Sequence, residues 1–359
     1  MNCSYKILIL YAEVMDYLLA AISQFKIDHP RSEIVLFELD KKKKTNFSFN
    51  SNDFIYHKKS DFDSYERFKK ICVDFNPDII LVSGRMHQHY LKIARLFKNC
   101  NKITVTLQDT KYERSLRQHI IRLFSKFLYH RYFNVFWGAG DPQYAFALSI
   151  GYSAENIFTG IYTANDKVFA KPQSSYEKKR SSDRNILFVG RLAKEKNILK
   201  LASVLEEINK EYNSKHKLYI YGDGSLGPAL SAFSCVEITP FSNSKSIAES
   251  RSKFDFFCLP SIVEPWGVVV HEFGLLGMPL LLSSEVGARC EFLIDSYNGY
   301  TFNPKDSESM KSILVKALKM SDVEIDRFGE RSSVIAIKIS RSIWSATLNA
   351  ICSKIKSDS

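Results

Sequence analysis

Short apolar runs alternate with helical stretches twice along this chain, and that rhythm constrains its fold more than any other feature. Lys6–Leu10 (KILIL) reads as a buried strand, and a helical pattern runs from Val14 to Phe25. Glu33–Leu39 (EIVLFEL), Pro77–Ser83 (PDIILVS) and Lys102–Leu107 (KITVTL) are further strands with helix-like stretches between them. Lys171–Asp183 (KPQSSYEKKRSSD) then carries no apolar period and reads as a linker. The alternation restarts with Asn185–Val189 (NILFV), Lys217–Tyr221 (KLYIY), Phe254–Leu259 (FDFFCL) and Met278–Leu282 (MPLLL). Apolar strands separated by helices form parallel sheets covered on both faces. The expected α/β architecture is therefore two Rossmann-like, doubly wound parallel-sheet domains. Ligands of such sheets bind at the carboxyl ends of the strands, so a cleft between the halves is the expected site.

The length of 359 residues agrees with about two domains. A chain that is 45% hydrophobic and 25% charged is neither disordered nor fibrous. The net charge of +11 suggests a phosphorylated small molecule, an anionic lipid or a nucleic acid as partner. Seven cysteines without a C-x-x-C spacing read as scattered thiols in a reducing compartment. Ile7–Leu10 is too short for a signal-peptide core, and no apolar stretch approaches the ~20 residues of a membrane span. A cytoplasmic location is expected.

The densest chemical signal is Pro260-Ser-Ile-Val-Glu264-Pro265-Trp266-Gly267-Val268-Val269-Val-His-Glu272. A strand ends at Leu259, and Pro265 suits the first turn of a helix. Gly267 gives close backbone access, and the first-turn amides would cradle a diphosphate. Glu264 and Glu272, with seven residues between them, would lie roughly 12 Å apart along a helix. Such carboxylates could accept hydrogen bonds from a sugar and a ribose, or could be two surface acids. Gly190-Arg191-Leu-Ala-Lys-Glu-Lys196 follows the first strand of the second half, so Arg191 and Lys196 could neutralise a diphosphate leaving group. Gly222-Asp223-Gly224 closes another strand of that sheet.

Residues 185–310 resemble the donor-binding half of a family 4 glycosyltransferase of GT-B architecture. The matching blocks are FVGRLAKEKN, LYIYGDGSL, LPSIVEPWGVVVHEFGLLGMPLLLS and EFLIDSYNGYTFNPKD. The resemblance implies that Arg191 and Lys196 hold the donor diphosphate and that Glu264 contacts the transferred sugar. It implies that Glu272 takes the ribose hydroxyls and that backbone amides near Gly267 and Val268 take the phosphates. Gly190, Gly222, Asp223, Gly224, Pro265, Trp266 and Val269 complete the implied donor site. The family is retaining and metal-independent, so no metal site or cofactor is expected and a nucleotide sugar is the donor substrate. Ser340–Ile355 resembles the family's last helix, which crosses back to the first domain. The expected boundaries are 1–170 for the acceptor domain, 171–183 for the linker, 184–335 for the nucleotide-sugar domain and 336–359 for the returning segment. Many members carry a glycine pair after the first strand, where this chain has Tyr11-Ala12-Glu13. Asp109, in Gln108-Asp109-Thr110, resembles the acid some members set against the donor sugar, and could instead be a helix N-cap.

Other signals carry competing readings. Gly222-x-Gly224-x-x-Gly227 matches the dinucleotide fingerprint but lies beyond the first βα unit of its half, which argues against NAD. Asp61-Phe62-Asp63 is a D-x-D that reads as a solvated loop. Gly84, Arg85, His87 and His89 are candidates for the acceptor side or a plain surface loop, and the histidines have no third zinc ligand nearby. Lys111–Phe133 carries six Lys or Arg against one acid, with Leu116, Ile120, Leu123, Phe124, Phe127 and Leu128 at helical spacing. That helix either lies on an anionic membrane or packs its apolar face on its own sheet. Residues 1–170 carry 24 basic and 17 acidic residues, against 26 and 22 thereafter, so the excess lies in the first half.

The expected function is transfer of a hexose-type sugar, with retention, from a UDP- or GDP-sugar to a lipid-linked or surface-polysaccharide acceptor at the inner face of the cell membrane. A non-catalytic nucleotide-sugar-binding scaffold and an NAD-binding oxidoreductase are the alternatives. No nucleic-acid recognition motif is present, so nucleic acid is not an expected partner.

Overall fold

The computed structural model describes residues 4–39, 53–61, 64–85, 87–113, 115–170, 182–240 and 244–354. The Lys41–Lys44 run, two residues of the D-x-D, and the proposed linker up to residue 181 lie outside the described residues. The chain forms two compact units, residues 1–165 with 339–359, and residues 166–338.

The first unit is built on a seven-stranded sheet of order β3-β2-β1-β4-β5-β6-β7. Its strands are β1 Lys6–Tyr11, β2 Glu33–Glu38, β3 Ile55–Lys58, β4 Ile79–Ser83, β5 Ile103–Gln108, β6 Val135–Gly138 and β7 Ile157–Phe158. Every pairing is parallel. Ile7, Leu8, Ile9 and Leu10 are all buried, as helices on both faces of a parallel sheet require. The first helix spans Asp16–Asp28 rather than starting at Val14, because the Val14 amide donates to Glu38 Oε1 (2.7 Å) and holds the chain extended there. The final helix, Arg341–Ser353, packs on Asp16–Asp28 within this unit, with Ser345 Oγ donating to Asp28 Oδ2 at 2.6 Å. The Trp137 and Trp344 rings meet at 5.1 Å, and each indole N–H is satisfied by a carbonyl, of Thr159 and Ile161 respectively.

The second unit is built on a six-stranded parallel sheet, β10-β9-β8-β11-β12-β13. Its strands are β8 Asn185–Val189, β9 Lys217–Tyr221, β10 Val236–Thr239, β11 Phe256–Leu259, β12 Leu280–Ser283 and β13 Gly299–Phe302. The chain moves outward from β8 to β9 and β10, then returns to β8's other side to place β11. The loops after β8 and β11 thus diverge from neighbouring strands and leave a crevice at the carboxyl edge. The first unit has the same reversal between β1 and β4.

No helix among the described residues is long and apolar enough to cross a membrane. The Lys111–Phe133 segment is not one helix with a buried apolar face. It is an α-helix, Leu116–Leu123, followed by a π-helical turn, Lys126–His130, and Leu116, Ile120, Leu123, Phe124 and Phe127 are all exposed.

Candidate functional site

The crevice of the second unit gathers most of the residues singled out in its sequence. The loop after β8 carries Gly190 and Arg191 and leads into a short 3-10 turn, Lys194–Lys196. The loop after β11 carries Glu264 and ends at Gly267, the N-cap of the helix Val268–Leu275. Lys196 Nζ and Glu264 Oε2 form an ion pair joining the two loops. Only 15% and 11% of the two side chains are exposed. Ser261 Oγ donates to the same carboxylate oxygen at 3.2 Å. Ser261 is held in turn by Ser283 Oγ, from β12, which donates to its carbonyl at 2.6 Å. The Ile262 amide donates to Glu195 O (2.8 Å), so backbone as well as side chains ties the two loops.

The helix here starts later than the sequence spacing suggested. Gly267 has φ +96°, a left-handed conformation that favours glycine and that sets the helix entry. A Cβ on it would lie 3.2 Å from both Glu264 Cγ and Leu259 Cδ2. Glu264 therefore belongs to the loop, not to the helix, and it forms a parallel bridge to Val286. The Gly287 amide donates to its carbonyl at 3.0 Å. Pro265 is likewise outside the helix and exposed. Trp266 is buried against Phe292, and its carbonyl accepts from the Ala288 amide (2.9 Å), so its indole holds the loop down. Val268 and Val269 head the helix, where amides lack intrahelical acceptors and the helix dipole favours an anion. Glu272, half-buried, is in the second turn of the same helix.

Arg191 is 76% exposed and, among the described residues, pairs only with Glu195, at 3.2 Å, a surface pair of little intrinsic strength. Gly222, Asp223 and Gly224 follow β9 beside it. A Cβ at Gly222 would fall 1.9 Å from Gly190 O, and the Leu192 amide donates to Asp223 O at 2.9 Å. These glycines let the loops after β8 and β9 interlock. The helix that follows, Gly227–Leu230, has four residues and carries Pro228. The glycine spacing thus serves loop packing, and the long helix of a dinucleotide fingerprint is absent there.

The remaining candidates lie in the first unit. Asp109 stands just past β5, and the next helix begins only after the N-cap Ser115, so Asp109 is not a helix cap. Tyr162 Oη donates to Asp109 Oδ2 at 3.3 Å. Tyr11 shares hydrogen bonds with Tyr17 and Tyr162, and burial pushes all three phenols well above their usual range. This tyrosine set was not legible beforehand, because its members are scattered over residues 11, 17 and 162 without a common motif. Gly84 and Arg85 follow β4, with Ser83 Oγ accepting from the Ala12 amide at 2.7 Å. Arg85 turns under the neighbouring helix: it donates to Leu128 O (3.3 Å) and lies 4.1 Å over the Tyr129 ring. His87 packs edge to face against His89 and Tyr90, and the His89 ring lies tilted 5.0 Å from that of Tyr65. Burial lowers the His87 imidazole below its ordinary value. Among the described residues, no group of three His, Cys, Asp or Glu could hold a metal ion.

Two doubly wound parallel-sheet units, each with a reversal of strand order, define a GT-B-type α/β protein. Residues 171–332, a little under half of the chain, match the family described as glycosyl transferases group 1. An uncharacterized glycosyltransferase of Methanocaldococcus jannaschii is 30% identical over 139 residues, 36% of this chain. The chain spans only 35% of that relative's length. Among solved structures, a glycosyltransferase from Rickettsia africae superposes with a TM-score of 0.75 at 12% identity, covering 99% of this chain and 100% of that one. HepE of Anabaena, in complex with UDP and glucose, superposes with a TM-score of 0.71 at 15% identity over 98% of this chain and 100% of its own.

Proposed function

We propose that this chain is a retaining, metal-independent glycosyltransferase. It moves a hexose-type sugar from a UDP- or GDP-sugar to a lipid-linked or surface-polysaccharide acceptor. The observation that carries the reading is the convergence of Lys196, Glu264 and the N-terminus of the helix Val268–Leu275 at the strand-order reversal of the second unit. That edge offers a cation, a carboxylate and unpaired amides within one crevice, the combination a sugar diphosphate needs.

On this reading the donor diphosphate lies over the Val268 and Val269 amides and draws Lys196 toward itself. Arg191, tethered only by its surface pair, swings in as the second cation. The two positive groups and the amides then stabilise charge that develops on the leaving diphosphate, an interaction stronger in the transition state than in the ground state. Glu264, relieved of part of its pairing, accepts hydrogen bonds from the sugar hydroxyls, and Glu272 accepts from the ribose. The front-side course implied for retention needs no side-chain nucleophile, and none is assigned. Asp109, which accepts a hydrogen bond from Tyr162, keeps the acidic role that the resemblance assigns to it.

Titration calorimetry against UDP, GDP, ADP, CMP and NAD, with and without EDTA, tests the proposal. Binding of one nucleoside diphosphate that persists in EDTA supports it. Binding of NAD alone would instead select the oxidoreductase. Nucleotide-sugar binding without hydrolysis or transfer would leave a scaffold.

A further inference from the structure

The helix Leu116–Leu123 and the π-helical turn after it are built inside out. Leu116 is 84% exposed and Leu123 79%, and Ile120, Phe124 and Phe127 on the same face are exposed as well. The inward seam holds polar Gln118 and Ser125 among Ile121, Leu128 and Tyr129. Isolated exposed apolar residues are ordinary, whereas five large ones on one face mark a contact surface.

The first unit locks this orientation. Gln118 Nε2 donates to Lys111 O (2.8 Å), and its Oε1 accepts from the Glu113 amide (2.6 Å). Arg85 donates to Leu128 O. Lys98 Nζ donates to the carbonyls of His130 and Phe133, the latter at 3.0 Å. Rolling the helix to bury its leucines would strand Gln118 and break these bonds.

Charge identifies what the stripe meets. Helical spacing puts Arg117 along one border and His119 and Lys126 along the other, with Arg122 beyond them. All four are exposed, and no carboxylate among the described residues pairs with Arg117, Arg122 or Lys126. An apolar strip between rows of cations matches a bilayer surface, whose acyl boundary takes Leu and Phe while its headgroups meet Arg and Lys. A second copy of this chain would bring the same cations against each other.

We propose that residues 116–127 form a docking surface for an anionic lipid bilayer, entered by Leu116, Ile120, Leu123, Phe124 and Phe127 and flanked by Arg117 and Lys126. The inference is independent of the donor-site reading, because lipid binding is read without turnover.

Sucrose-gradient flotation of the full chain tests it, with vesicles of phosphatidylcholine alone and of phosphatidylcholine with phosphatidylglycerol. Flotation with the anionic vesicles only, weakened by added salt, is expected. Each basic residue near such a leaflet is worth about fivefold in affinity, so R117E/K126E should abolish flotation. L123S/F127S should weaken binding by about tenfold or more. Both variants alter exposed side chains and should keep the wild-type melting temperature. As a second readout, L123W should shift its emission to the blue on anionic vesicles. Absence of wild-type flotation, unchanged flotation of either variant, or an unshifted L123W emission overturns the proposal. So does a concentration-dependent dimer, seen by sedimentation, that L123S/F127S dissolves.

Discussion

Replacing Lys196 by Met removes one half of an ion pair that is almost fully enclosed. Among the described residues Glu264 would keep one side-chain donor, Ser261 Oγ at 3.2 Å, to offset a charge with about a tenth of its side chain in contact with water. Breaking a buried pair by removing one partner costs about 3–5 kcal/mol, and residual exposure puts this site near the lower end. In a unit of this size each kcal/mol moves the melting temperature by about 2–4 °C, so Lys196→Met should lower it by roughly 6–12 °C. Glu264→Gln should cost less, since the amide can still accept from Lys196. The double variant, with neither charge, should recover most of the loss. Thermal unfolding of the four proteins followed by circular dichroism closes this double-mutant cycle. If Lys196→Met melts within about 2 °C of wild type, or the two single losses simply add, the pair does not hold the loops together. The same substitution should weaken nucleoside diphosphate binding, as expected of a cation shared between Glu264 and the donor.

Arg191→Ala should leave the melting temperature unchanged but lower transfer by about 10²–10³-fold, and near-normal turnover would remove Arg191 from the diphosphate. Glu272→Ala should raise the nucleotide Kd by about tenfold or more, the worth of a hydrogen bond to a charged group, with calorimetry as the check. Gly222→Ala, whose new methyl meets Gly190 O, should destabilise the second unit by about 1–3 kcal/mol in urea unfolding. His216 supplies a pH test. Its Nδ1 accepts from the Arg184 amide at 2.9 Å, and burial lowers the imidazole's pKa against the pull of Asp183. A depressed folded-state pKa means the neutral form is stabilised, so its contribution is present above about pH 6.5 and falls as the solution is acidified below that value. The urea midpoint should drop between neutral pH and pH ~5.5 by more in wild type than in His216→Asn.

Strands of five or six mostly buried residues declared themselves locally. Asn185–Val189 and Lys217–Tyr221 occur with the bounds their composition suggests. The shorter strands β3, β6, β7, β10 and β13, of two to four residues, did not, because so few side chains carry no resolvable period and only pairing to a neighbour makes them strands. Arg191, Lys196 and Glu264 stood out in the sequence because each follows a buried strand among glycines and charges, and the structure brings Lys196 and Glu264 together at that edge.

Geometry beyond the local chain decided the rest. That Glu264 sits ahead of the helix follows from the left-handed Gly267 and from the Val286 bridge, a contact with residues some twenty positions later. The tyrosines around Asp109 come from the end of β1, the helix after it and the segment after β7, and only the folded sheet brings them to the end of β5. The apolar stripe of residues 116–127 has the same period whether it faces core or solvent. Its direction is set by hydrogen bonds from outside the helix, with Arg85, Lys98, and the Lys111 carbonyl and Glu113 amide that bind Gln118 pinning the polar seam inward. Periodicity states that a helix has two faces. Hydrogen bonds from the surrounding elements determine which of them is left for a partner.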